Sequence, residues 1–249
     1  MRSKPRSIVL LSMLVALAVG VSASAASATT LFEWKVKGAA LKSGSSKEFT
    51  LKSKELVRLN FTTFGDAIKL TSSNVKVVAE NKPSVAGGKP GKLEKVRLWF
   101  ENVQVEKPKF CTIKTGRIIT SELNGELVEK AEAKKGTGVV ELLLETIPSG
   151  LGEWATFGFE GENCVPKELE HNEFRLKGSV VAELSPQKAE ATVGKLLLGK
   201  TSTEYPYTSE YVNSAGEFKT AGMKVALEPA ILIGEPEMEL VSKEAFGGF

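Results

Sequence analysis

The feature that most limits what this chain can become is a two-residue rhythm of apolar side chains, repeated in short runs and cut each time by turn-forming residues. In LFEWKVKG, Phe32, Trp34 and Val36 fall on one side while Glu33, Lys35 and Lys37 fall on the other. A strand sends successive side chains to opposite faces, so this alternation predicts a strand with one face buried. The runs EFTLK, ELVRLNF, AIKLTSSNVKVVAE, KVRLWFENVQVE, VVELLLET, EWATFGFEG, FRLKGSVVAEL, MKVALEPAILI and EMELV follow, with Ser, Asn, Gly or Pro at or near their ends. Ten or more short strands with few helix signals predict an all-β fold, an antiparallel β-sandwich or barrel with little helix, as one domain or as two packed β halves. PSVAGGKPG reads as a loop rich in breakers, and a subdivision, if there is one, is expected near 107–110 at Lys107-Pro108. One stretch has two readings. Asn124-Gly125 between apolar runs is a hairpin signal, whereas Asn124 could equally cap a helix through ELVEKAEAKK ending at Gly136.

The first 28 residues follow a different logic. Arg2, Lys4 and Arg6 precede an apolar stretch from Ile8 to Val21, which gives way to the small residues Ala26, Ser27 and Ala28. That stretch fits the ~7–15 residues of a signal peptide core and is short of the ~20 that a membrane-spanning helix needs. Residues 1–28 are therefore expected to be a cleaved signal peptide and 29–249 a secreted or extracytoplasmic β domain at the cell envelope, with no membrane span after signal removal. The formal charge of +3 loses its meaning once the signal is set aside. Of 33 basic residues three lie in it and none of the acids does, so 30 basic residues face 30 acidic ones in the rest. Lysines alternating with glutamates, as in KSKE and EKAEAKK, make solvated faces and not a groove for phosphates, so no nucleic-acid partner is expected.

Composition excludes more chemistry than it suggests. Asp66 is the one aspartate among 30 acids, which removes most calcium-loop and aspartate-dyad arrangements. His171 is the one histidine, so a nucleophile–histidine–acid triad has no second candidate base, no serine sits in G-x-S-x-G, and His171-Asn172-Glu173 lacks the partner of a zinc helix. His171 is expected in a loop. Gly194 to Thr201 (GKLLLGKT) matches the letters of a phosphate loop, but TSTEYPY follows it where a helix must open, and the strand reading of KLLL is preferred. Gly150-Leu151-Gly152 likewise reads as a turn into a strand. No catalytic, nucleotide-binding or metal-binding residues and no cofactor emerge. Paired glutamates remain open, because their test is spatial and the chain has 29 of them. Asn60-Phe61-Thr62 is a glycosylation sequon inside a strand pattern.

Cys111 and Cys164 are the only cysteines, and an oxidising environment makes a disulfide between them the expectation. All three tyrosines, Tyr205, Tyr207 and Tyr211, share a period-two face of EYPYTSEY, a candidate aromatic patch for a sugar or a protein, with cross-strand packing as the competing reading.

AGGKPGKLEKVRLWFENV, CTI, ITSELNGELVE, ELSPQKAEATVGKLLL and the ending GEPEMELVSKEAFGGF together resemble a group of uncharacterised exported proteins of actinobacteria, over most of residues 31–249. The resemblance implies a β fold and supplies no activity. Members of that group carry more cysteines, for instance around the Trp99 to Val103 strand, where this chain has none. The expected function is therefore a non-catalytic structural or binding role at or outside the cell envelope, with a cell-surface polymer or protein as partner. The alternatives are a carrier of a small apolar ligand and a glutamate-based glycoside hydrolase. An outer-membrane barrel ending at Phe249 is disfavoured because Lys243 and Glu244 interrupt its outward apolar band.

Overall fold

The computed structural model describes residues 31–132, 135–146, 152–164, 166–199 and 208–249. The expected signal peptide, residues 1–28, lies outside them. Among the described residues the chain is strand after strand: β1 (Trp34–Val36), β2 (Ala39–Ala40), β3 (Ser46–Lys52), β4 (Val57–Thr63), β5 (Asp66–Val77), β6 (Ser84–Ala86) and β7 (Lys92–Val96) come first. Next are β8 (Leu98–Lys107), β9 (Thr112–Ile113), β10 (Ile118–Ile119), β11 (Leu123–Glu132), β12 (Lys135–Thr146) and β13 (Glu153–Glu160). A four-residue helix, α1 (Glu168–His171), precedes β14 (Glu173–Ser185), β15 (Gly194–Leu198), β16 (Ser209–Val212) and β17 (Phe218–Ala221). The chain finishes with β18 (Met223–Val225), β19 (Glu228–Ile233), β20 (Glu237–Leu240) and β21 (Phe246–Gly248). All-β with little helix is the observed class.

Followed through its antiparallel pairings, the large sheet closes on itself twice. The first ring runs β14–β12–β11–β7–β6–β3–β20–β15 and returns to β14. The second runs β14–β18–β19–β4–β5–β8–β10, then through the single bridge Thr120↔Ala155 to β13 and back to β14. Strand β14 is long enough to serve both. One edge gives Leu176–Gly178 to β18 and Ala182–Ser185 to β15, and the other gives Glu173–Lys177 to β13 and Ser179–Glu183 to β12. Strands from both sides of residues 107–110 take part in each ring. Closing a sheet in this way pairs the edges that an open sheet would leave for other chains to join.

The period-two pattern explains which face turns inward. On β4, Val57, Leu59 and Phe61 are buried while Arg58 is exposed, and on β14 the even residues from Phe174 to Leu184 supply Phe174, Leu176, Val180, Ala182 and Leu184 to the interior. Both ring interiors belong to one continuous apolar core. A small sheet of β2, β1 and β21 covers part of it, with Trp34 packed 6.2 Å from Phe246 and its indole N–H donating to the Lys92 carbonyl at 3.0 Å.

Both readings of the Asn124 segment are corrected. Asn124-Gly125 lies inside β11, which continues to Glu132 and pairs it with Lys135, so the chain reverses only after Glu132 and no helix forms. The reason is tertiary: Gly125 faces the core, where a Cβ would stand 2.9 Å from Leu93 Cβ and 3.1 Å from Leu142 and Leu144 methyls. Glycine here permits close passage of strands, and β pairing overrides the helix preference of the residues that follow. Elsewhere, Gly194–Leu198 is strand β15, as KLLL suggested, while Lys200 and Thr201 lie outside the described residues. His171, expected in a loop, ends α1. The sequon asparagine Asn60 sits in β4, paired on both sides to Ile231 and Lys69.

Candidate functional site: a polar groove beside the first ring

Cys111 and Cys164 are joined by a disulfide, with sulfurs 2.04 Å apart. Pairing of Phe159 with Ile113 and Glu160 with Thr112 brings the β9 and β13 neighbourhoods together, and both cysteines are buried. The bond staples the β8–β9 connection to the β13–β14 connection.

Of the three tyrosines of the candidate patch, one is described. Tyr205 and Tyr207 lie outside the described residues. Tyr211 is only 9 % exposed, its ring packed with Val128, Leu143, Val181 and Ala221 where the β16–β17 hairpin folds over the outer face of β11, β12 and β14. At Tyr211 itself the packing is cross-strand.

Around that tyrosine the fold gathers carboxylates whose proximity the sequence did not disclose. Glu126 and Glu145 are diagonal neighbours across the β11–β12 hairpin, since Glu126 pairs with Leu143 and Asn124 with Glu145. Burial, and then the Glu126 charge, raises the Glu145 carboxyl above the ordinary carboxylate range, although the residue keeps an exposed flank. Burial raises the Tyr211 hydroxyl as well, followed by the charges of Glu145 and Glu126. A raised acid beside a second carboxylate is the electrostatic half of glycoside hydrolysis.

A wider concavity lies elsewhere. The chain entering β3, Ser43–Ser46, runs beside the β6–β7 connection, held by the parallel bridge Ser43↔Gly87 and by Gly87 N–H donating to the Ser45 carbonyl at 2.9 Å. Between them lies a groove with a cavity volume of about 390 Å³, edged by Ser43, Ser45, Ser46, Lys89, Lys92 and Glu94. Its floor depends on Gly87, where a Cβ would meet the Lys42 and Leu41 carbonyl oxygens at 2.2 and 2.3 Å. Lys92 and Glu94 point outward from alternate positions of β7, whereas Lys89 leans to Glu33 at 3.5 Å. The lining offers exposed hydroxyls, backbone amide groups, two lysines and one glutamate. These are donors and acceptors for a polar ligand, without a nucleophile–base pair. By contrast, an apolar void inside the second ring and another where the two rings meet hold about 20 Å³ each. Among the described residues no group of three His, Cys, Asp or Glu side chains could hold a metal ion, and no helix is long and apolar enough to cross a membrane.

Comparison with models of known protein families, with curated proteins and with solved structures returned no match to this chain.

Proposed function

We propose that this protein acts outside the cytoplasm as a non-catalytic binding protein whose Ser43–Ser46/Gly87–Glu94 groove takes a hydroxyl-rich polymer of the cell surface. The observation that carries the reading is the contrast in space and chemistry between the groove and the interior. A cavity of about 390 Å³ with hydroxyl and amide lining is within the ~300–1,000 Å³ range of ligand sites, whereas interior voids of about 20 Å³ are too small for the apolar cargo of a carrier. Hydroxyl groups of a polysaccharide both donate and accept, as Ser43, Ser45 and Ser46 do, and a long polymer suits a groove open to solvent. Protein partners are usually gripped through buried aromatic anchors, which this lining lacks. The extracytoplasmic setting rests on the charged, apolar and small-residue order of residues 1–28 and on the paired cysteines.

Affinity electrophoresis through gels containing soluble neutral or anionic polysaccharides tests the reading. Retardation by at least one polymer, lost in Ser45→Trp at unchanged melting temperature, is the expected result. No retardation across the panel, or equal retardation of Ser45→Trp, refutes it.

A further inference from the structure

Three tryptophans bring one indole N–H each, and two of these have an acceptor. Trp34 donates to the Lys92 carbonyl at 3.0 Å and Trp154 to the Gly178 carbonyl at 2.8 Å, both from within the core. Trp99 differs. Its Nε1 is shielded from solvent and has no acceptor among the described residues. A buried donor is nearly always paired, since an unpaired one has lost its water for nothing in return, and each exception calls for a reason.

The surroundings of Trp99 show what an acceptor would meet. Leu98 and Phe100 line the interior, so Trp99 between them points out from the wall of the second ring. Register sets Lys76 of β5 on one side of it and Ile119 of β10 on the other. Arg97 and Glu101 share its face along the chain, two residues away in each direction. The Lys76 ammonium stands 4.3 Å from the ring centroid and the Arg117 guanidinium 5.3 Å. Glu101 is fully engaged, with one carboxylate oxygen 2.7 Å from Lys76 Nζ and the other accepting from the Asn74 amide. Arg97 donates through Nε to the Thr120 carbonyl at 3.2 Å. Among the described residues neither Arg97 nor Arg117 has a carboxylate partner. Cross-strand packing and cation–π attraction account for the ring of Trp99. They account neither for its N–H nor for two guanidiniums left beside it without an acid.

We propose that this patch is a second binding site, for the carboxylate or phosphate group of an acidic ligand, held by the Arg117 guanidinium and the Trp99 indole N–H. A guanidinium offers two parallel N–H groups to two oxygens of such a group, and the indole adds a third donor. Arg97 adds positive potential from the same face, and the one carboxylate of the patch is neutralised by Lys76. Arg117 is exposed and long, so a change of rotamer carries it from the ring to the arriving oxyanion and uncovers the indole edge. The site shares no residue with the groove at Ser43–Ser46/Gly87–Glu94, and the inference is independent of that reading.

The indole N–H resonances of the isotope-labelled full chain provide the test. Trp99→Phe, which keeps an aromatic ring beside Lys76, identifies the Trp99 resonance by its loss. Oligogalacturonate supplies the carboxylate, oligomeric glycerol phosphate the phosphate, and a neutral maltooligosaccharide is the control. A saturable downfield shift of the Trp99 resonance with at least one of the anions, absent with the control, is expected, and the anion that produces it names the source. Calorimetric titration with that anion should show Trp99→Phe and Arg117→Gln each binding about tenfold or more weakly, and Arg117→Gln losing part of the salt dependence. No shift with either anion overturns the proposal, as does an equal shift with the neutral sugar or parental affinity in a folded Arg117→Gln. Ser45→Trp, which fills the groove, should leave the Trp99 response intact, so failure of the groove and failure of this site are read separately. Loss of the response in that variant would make the two one site and overturn the proposal as well.

Discussion

Reducing the Cys111–Cys164 bond should cost this fold a large share of its stability, and the structure says why the cost falls on the unfolded chain. The bond spans 53 positions. In the chain-entropy model closing a loop of that length removes about 4 kcal/mol of freedom from the unfolded ensemble. The folded state has little reason to change on reduction. Phe159↔Ile113 and Glu160↔Thr112 remain paired, Cys164 N–H still donates to the Gly161 carbonyl at 2.9 Å, and both sulfur positions are buried, where free thiols pack as small apolar groups. A chain of this size loses ~2–4 °C of melting temperature per kcal/mol, so a fall of about 10 °C is expected. Calorimetry with and without reductant measures it, and the Cys111→Ala/Cys164→Ala variant, which avoids burying new hydroxyls, should match the reduced protein. A fall below about 3 °C in both would refute the entropic reasoning. Two titratable thiols in the unreduced, unfolded protein would refute the bond itself.

Two further outcomes follow from single residues. Gly125→Ala should destabilise by about 1–3 kcal/mol, because its methyl would press on Leu93, Leu142 and Leu144 between paired strands, and chemical denaturation measures it as a lower midpoint. Glu244 accepts from Lys37, Lys47 and Ser242, in that order of effect, which lowers its carboxyl from 4.5 to about 2. A depressed folded value means the contribution is complete above the unfolded pKa and is lost as pH falls from about 4.5 through about 2. Melting curves across that window should fall less steeply for Glu244→Gln than for the parent, and identical slopes would count against the assignment.

How far the sequence spoke depended on the range of the interaction. Alternation in VRLNF and EWATFGFE announced β4 and β13, because side-chain direction along a strand is local. The path of the rings was not legible, since Leu51 meets Met238 and Leu127 meets Leu142 only after the register of distant strands is known. Asn124-Gly125 misled for the same reason: a local turn signal was outweighed by the need for a side chain no larger than hydrogen beneath Leu93. With the reversal placed at 124–125, Glu126 and Glu145 could not be seen as neighbours. The groove was invisible in another way, being made of serines, glycines and lysines whose types carry no chemical signature until β3 and β6 lie side by side.

The first ring has its seam between β3 and β20, where Phe49 faces Leu240 and Leu51 faces Met238. A ribosome or an export channel delivers the chain in order, so β3 waits for a partner made almost two hundred residues later. Until Met238 emerges, β3 cannot take its place in the closed ring, and β14, the wall common to both rings, lacks the β15–β20 closure on one flank. The first ring is therefore the later of the two to have all its strands. A chain cut short before β20 still carries every strand of the second ring, the last of which is β19, but leaves the first ring open between β3 and β15.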